Sequence, residues 1–399
     1  MHGKKYLLAL LCSFGMVTVA TSGDWPNFRG PNHDGIATET GFKKKFDGKI
    51  PQVWSRDVGS AFSSFAVVGD KLFTGGTKGG MQTLVCLNAT DGSEIWTVEI
   101  EPEYKEPQGG DGPRATPTVD GGKVYMLGAK GKLICVLAEN GDEVWSKQFN
   151  NMPTWGYSGS VLIDGERAIV SAGKEQGGLV AYDKNTGEKI WQASDDIAGY
   201  ATPYPFDFEG TRYVAGFLGN SAIVVNADDG EEAWGTRWQT MFSVNAAAPI
   251  FHEGQLFLSS GYRHGCALYD LRKKSDGTLE AREVWDSKML RNKFQSAMLI
   301  DGALYSGDEK GIQCVDFATG KRIWTVPRKQ HSTMLAADDH LIVLTEDGEL
   351  MITPISKRGF DPVTKQKVLD DRCWTVPVLA NGKLYVRNLT KVVCLDLME

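Results

Sequence analysis

The chain has 399 residues, 42% of them hydrophobic and 23% charged, with 46 glycines and a formal charge of −7. That is a globular composition rich in turn formers, and it excludes a disordered or fibrous chain. Its acidity argues against sequence-independent nucleic-acid binding, for which a basic face supplies most of the affinity.

In chain order, Lys4 and Lys5 precede an apolar run and then small residues, the layout of a secretory signal peptide over residues 1–22, cleaved after Ala20 or Ser22. The run is short of the roughly 20 apolar residues of a spanning helix, and no later segment reaches that length. Cys12 follows Leu10 and Leu11, where a lipid-attachment signal wants small residues. The expectation is an exported, unanchored protein, periplasmic or secreted. Six cysteines then remain, an even number that invites a disulfide reading. Yet Cys86, Cys135, Cys314 and Cys394 each stand two residues before the residue that opens one recurring turn, Asn88, Leu137, Asp316 and Asp396. They are read as small buried hydrophobes.

Residues 23–49 form a leader containing DWPNFRGPNHDG at 24–35, expected to pack across the wall of the domain that follows. From residue 50 onward one phrase recurs: LVCLNATDGSEIW ending at Trp96, LICVLAENGDEVW at Trp145, LVAYDKNTGEKIW at Trp191, IVVNADDGEEAW at Trp234 and IQCVDFATGKRIW at Trp324. Each is a strand, a turn in which Asn or Asp bonds its own backbone and Gly takes the left-handed conformation, and a second strand. Another hairpin lies upstream of each, as in TPTVDGGKVYMLG at 116–128, so the unit has four strands. The register runs through Trp54, Trp96, Trp145, Trp191, Trp234, Trp285 and Trp324, with Val368 in the eighth place, at intervals of 39–51 residues. Four short strands at that spacing predict an all-β, eight-bladed β-propeller of four-stranded antiparallel blades over residues 50–399. The innermost strands are expected to start near Ser63, Thr116, Ser158, Thr202, Ala246, Ser296, Thr333 and Thr375. The last unit stops after three strands, and IPQVW at 50–54 is a lone outer strand, so pairing them closes the ring. Longer connections are read at 101–113, 270–283 and 355–367.

These units resemble the pyrroloquinoline quinone (PQQ)-like β-propeller repeat, whose D-x-x-[TD]-G-x-x-x-W type of signature recurs once per blade with its Trp docked between blades. The leader is similar to the start of a set of secreted bacterial propellers carrying that repeat. Most members of that set have no established activity; the same repeat also builds two better-defined groups, quinoprotein alcohol dehydrogenases and an outer-membrane assembly lipoprotein, and the resemblance implies the scaffold they share. Dehydrogenases of this kind set an adjacent Cys-Cys pair against the quinone and bind calcium through acidic and amide ligands. No two cysteines here are adjacent and no calcium-loop spacing is present. The assembly lipoprotein would need the lipid-attachment signal that Cys12 lacks.

Chemistry is sparse. The histidines show no H-x-H or H-E-x-x-H grouping, no metal site is predicted, and GGTKGG at 75–80 opens no helix that would hold a phosphate. Trp25 and Trp238 are read as packing residues, and Asp308 with Glu309 as a solvated turn. The informative residues fall just before innermost strands, where connections cross the face around the central channel: Arg114, Trp155, Tyr157, Tyr200, Asn245, Arg291, Asn292, His331, Arg372 and Trp374. Arg263 and His264 come from a hairpin opening on the same face. Such a ring suits an anionic or hydroxyl-rich ligand, because planar groups stack while guanidinium and amide groups fix polar atoms. The expected function is a binding or scaffold module for a small polar ligand, a glycan or an envelope-protein segment, with no cofactor. The alternatives are a PQQ- and calcium-dependent oxidoreductase or an envelope assembly factor.

Overall fold

The computed structural model describes residues 23–398. From residue 50 onward the chain winds into eight antiparallel blades whose strands pair in sequence order. Blade 1 consists of Ala66–Val68, Lys71–Lys78, Met81–Asn88 and Glu94–Pro102. Blades 2 to 7 cover 118–148, 162–193, 204–237, 250–287, 298–327 and 332–367, and blade 8 covers 378–396. First strands of successive blades approach one another and line the axis. Third strands, covered on both faces by neighbouring blades, read as unbroken apolar runs such as TLVCL; outer strands are mostly exposed.

The ring closes as expected. Gln52–Asp57 pairs antiparallel with Lys391–Asp396, with Trp54 opposite Cys394, and supplies the outer strand of blade 8. Trp96, Trp145 and Trp324 face Cys86, Cys135 and Cys314 in the same register. All six described cysteines are buried and free.

The repeated turn and the repeated Trp are two halves of one contact. Asp183 Oδ1 accepts from the amides of Asn185 and Thr186, at 2.9 and 2.8 Å, and this turn brings Gly187 to φ +72°. Gly187 lies under the indole of Trp145 from the preceding blade, where an added Cβ would stand 2.8 Å from the ring. The Trp145 Nε1–H donates to Lys184 O at 3.0 Å. Gly92, Gly141, Gly230 and Gly320 repeat the arrangement under Trp54, Trp96, Trp191 and Trp285. Trp324 instead meets Phe360 and donates to Ser356 O. Blade 7 has no Trp in its outer strand Thr364–Lys367, and Val368 lies just past its end, packed against the core.

Three details differ from expectation. Most innermost strands begin two to four residues later, because the preceding residues bond sideways rather than within a ladder. Ser64 N donates to Thr116 Oγ1, Thr116 N to Ser160 Oγ and Ser160 N to Thr202 Oγ1 at 3.2, 2.9 and 2.9 Å, joining blades 1 to 4 around the channel. Ala248, without a hydroxyl, interrupts this belt, and Ala248 N resumes it by donating to Ser296 Oγ. Residues 270–283 are not a loop: Gly265–Lys273 and Leu279–Ser287 form one long hairpin, since Leu271 and Leu279 bury against blade 4. Asp308 is buried rather than solvated; its carboxylate accepts from the amides of Arg291, Lys310 and Gly311 and from Gln313 Nε2.

The first half of the leader crosses the floor of the channel, and its second half packs along the wall, where Lys44 O accepts from Thr364 Oγ1 and Ile50 N donates to Gln366 Oε1 beside the outer strand of blade 7. Trp25 bridges to Val67, Val119 N donates to Pro26 O, Arg29 Nη2 donates to Ala297 O, and Ile36–Ala37 pairs in parallel with Ala336–Ala337. These contacts touch the inner strands of blades 1, 2 and 7, and in blade 6 the residue just before its inner strand. His33 sits in this floor with its pKa lowered to about 4, by burial first and then by the Arg212 and Arg29 charges, against a smaller opposing pull from Asp164.

Two outcomes follow from this packing. Trp145→Ala should cost about 3–5 kcal/mol in urea unfolding. Gly187→Ala should cost about 1–2 kcal/mol for its left-handed backbone, and the double variant less than the sum, because the two residues form one contact. Because the His33 pKa is lower folded than unfolded, its contribution is complete above about pH 6.5 and is lost as pH falls toward 4. His33→Gln should flatten the fall in urea midpoint across that window.

Candidate functional site

At the mouth the channel opens into a cavity of about 320 Å³ whose floor is supplied by Phe28 of the leader. Its walls come from the connections that enter the inner strands, where no ladder dictates side-chain identity. Phe62 enters blade 1, Arg114 blade 2, Trp155 blade 3, Tyr200 blade 4, Lys293 and Phe294 blade 6, and Trp374 blade 8. Tyr262, on the 261–264 hairpin turn of blade 5, completes the wall.

The aromatic rings form two groups. Trp155 and Tyr262 lie nearly parallel, with centroids 6.4 Å apart and planes 17° apart, and Tyr200 lies 6.3 Å from Trp155. Phe62 and Trp374 stack at 5.3 Å, with Phe294 5.0 Å from Trp374. Offset and tilted rings of this kind present both faces and edges to a guest.

Of the twelve residues singled out in the sequence, Arg114, Trp155, Tyr200 and Trp374 line the cavity. Arg114 is committed to the protein: Nε donates to Trp155 O and Nη2 to Gly110 O, both at 2.9 Å, Nη1 donates to Gly112 O, and the guanidinium lies 4.5 Å above Tyr104. Arg372 stacks on Trp374 at 4.4 Å and donates to Gln108 O and Gly109 O. His331 packs behind the wall, 4.8 Å from Phe294 and 6.1 Å from Trp374; burial, then Lys293, lowers its pKa. His264 packs against Trp238 at 4.6 Å, and burial likewise lowers its pKa. Both imidazoles are neutral near pH 7.

The remaining five lie away from the lining. Tyr157 is buried and donates to Ala172 O, and Asn245 straps Leu218 O, Trp238 O and Ser260 Oγ. Asn292 donates to Ser306 Oγ and Gly307 O, Arg291 pairs with Glu309 at 3.6 Å, and Arg263 is exposed.

Sequence reasoning missed Phe62, Tyr262, Lys293, Phe294 and Glu106. Phe62 and Phe294 had a signal, since they precede inner strands at nearly the offset of Trp374. Glu106 had none: it is brought in by the 103–112 excursion, and its oxygens accept from the amides of Gln108 and Gly109.

That commitment decides the fit of a quinone and calcium. Glu106 is the one carboxylate among the lining residues, with both oxygens already bonded, and none of the buried cysteines reaches the cavity. The donor set does not match a calcium–quinone site.

Known proteins with related sequences and folds agree with this architecture. Over 160 residues the chain is 29% identical to outer membrane protein assembly factor BamB of Burkholderia pseudomallei (strain K96243), a match spanning 39% of this chain and 38% of that protein's length. The crystal structure of BamB from Moraxella catarrhalis superposes with a TM-score of 0.62 at 16% identity, over 88% of this chain and 98% of that one. A europium-containing methanol dehydrogenase superposes with a TM-score of 0.65 at 15% identity, over 91% and 89% of the two chains. At such identities the likeness is one of fold, and one ring carries quite different tasks. A sequence profile described as outer membrane protein assembly factor BamB (PQQ_2) matches residues 47–194 and 80–326. Matched in register over more than half its length, the chain belongs to this PQQ-like, BamB-type repeat family.

Proposed function

We propose that the protein is an exported binding module whose channel-mouth cavity takes a ring-bearing polar ligand, such as a sugar residue of a glycan. One observation carries the reading: two groups of aromatic rings face a cavity that the leader closes from below, so a ligand enters from one side and is held on flat apolar faces. The inter-blade tryptophans are spent on the fold, whereas neither Trp155 nor Trp374 covers a glycine of the repeated hairpin turn.

A second reading, a partner in envelope assembly, is supported by the family and by the rim of the same face. Met152, Met241, Phe242 and Met289, on connections between blades, are 44%, 61%, 59% and 37% exposed. Phe242 is held at φ +61° with its ring perpendicular to Trp155 and the two centroids 5.4 Å apart. Exposed methionines with an aromatic suit an irregular protein segment, since the thioether adapts to varied partners.

Titration of the mature protein with neutral and acidic oligosaccharides, followed by Trp fluorescence and melting temperature, separates these readings, because a ligand of the folded state raises stability. A saturable shift is expected, weakened at least about tenfold by Trp155→Ala or Tyr262→Ala. PQQ with calcium should produce no shift. Absence of any saccharide response would sink the glycan form of the ligand reading. Pull-down from envelope extract should then recover a membrane-protein complex that Met241→Ser/Phe242→Ser loses without a change in melting temperature; retention by the double variant would remove the rim from that role.

A further inference from the structure

We propose that the ligand of the cavity is a ring-bearing carboxylate and that Lys293 is its counter-ion. This rests on the channel-mouth reading above and adds the charge class of the ligand and the residue that selects it.

The inference comes from a balance of donors and acceptors. Arg114 gives three of its N–H bonds to backbone carbonyls, and each Glu106 oxygen accepts one backbone amide, so both groups are tied to the protein. Hydroxyls around the channel are similarly placed: Ser64 donates to Val376 O and Ser158 to Tyr200 O, while Thr116, Ser160 and Thr202 accept amides from neighbouring blades. Each of those last three keeps a proton to give.

Two further donors remain on the lining. Among the described residues, Lys293 has neither a hydrogen bond nor an ion pair, and its Nζ lies 5.2 Å from the centre of the Tyr262 ring. The Trp374 Nε1–H is buried with no acceptor. The unmet polar capacity of the cavity is therefore weighted toward donors, and a guest that brings acceptors is favoured. With two cations and one carboxylate on the lining, an anionic guest also balances charge.

The backbone under Lys293 is held in place. Asn292, fully buried, is tied to Ser306 Oγ at 2.7 Å and Gly307 O at 3.0 Å, and its amide donates to Ser259 Oγ at 3.3 Å. The ammonium is thereby set beside Tyr262, itself nearly parallel to Trp155. A ring resting on this aromatic wall would place a carboxylate substituent within reach of the lysine. A uronic-acid residue of a glycan and a simple aromatic acid share this chemistry.

The test measures binding of an oligogalacturonate, its neutral galactose counterpart and 4-hydroxybenzoate to wild type, Lys293→Gln and Lys293→Arg. Trp fluorescence is read at low and high salt, with melting temperatures recorded for each protein. We expect the acidic sugar or the aromatic acid to bind at least about tenfold more tightly than the neutral sugar. Lys293→Gln should abolish that preference and Lys293→Arg retain it, with melting temperature unchanged and salt weakening only the acidic ligands. Which acid binds identifies the source of the ring. Equal binding of neutral and acidic sugars, or a preference that survives in Lys293→Gln, would overturn the inference and leave the channel-mouth reading standing. Failure of all three ligands to bind would remove both.

Discussion

The structure depends on one repeated contact, an indole laid on the turn glycine of the next blade at five of the eight seams. It joins two demands that look unrelated in sequence. The turn needs a residue tolerant of positive φ, and the incoming ring leaves no room for a Cβ, so glycine meets both at Gly187 and its equivalents. The indole N–H is satisfied by the carbonyl after the turn opener, as with Trp145 and Lys184, so a large polar-tipped side chain packs at the seam without an unpaired donor. Where blade 5 replaces the short turn with a long hairpin, Trp234 loses the glycine and packs on Tyr269 instead.

A ring built from such seams has two rims with different duties. The hairpin ends of the inner strands are occupied by the leader, whose Arg29 is buried with its guanidinium bonded to His33 O, Asp34 O and Ala297 O. That segment turns an open channel into a cavity with one entrance. At the other rim the hydroxyl belt fixes the inner-strand starts blade to blade, so side chains just upstream are held firmly although they lie outside the ladders. Those upstream residues can change without disturbing a ladder, and rings of similar fold occur at 15–16% identity.

Charge at the mouth is mostly consumed by the protein. Arg114 and Arg372 clamp the 103–112 excursion through its carbonyls, and Arg114 also holds Trp155 O, so the guanidinium groups shape the walls of the cavity. Planar donors that fit carboxylates fit backbone carbonyls equally well. A cluster of arginines near a concavity is thus weak support for anion binding until their partners are known, and the single lysine carries more information.

By itself the sequence determined the class of fold, the number of blades, the register of Trp54 through Trp324 and the closure of the ring. The blade hairpins join near neighbours in the chain and repeat, so each copy reinforces the others, and the closure of Gln52–Asp57 onto Lys391–Asp396 was legible because a lone outer strand and a three-strand unit complete one another. Four of the cavity residues were legible as well, because the position before an inner strand is a topological address. Only the tertiary structure decided the rest. Asn245 and Asn292 occupy the same address yet turn inward to satisfy buried carbonyls, while Tyr262 and Lys293 from separate segments meet over one cavity. Which polar groups are already satisfied depends on local partners for Glu106 and on distant ones for Arg372, Asn245 and part of Arg114, and no single sequence pattern encodes that balance.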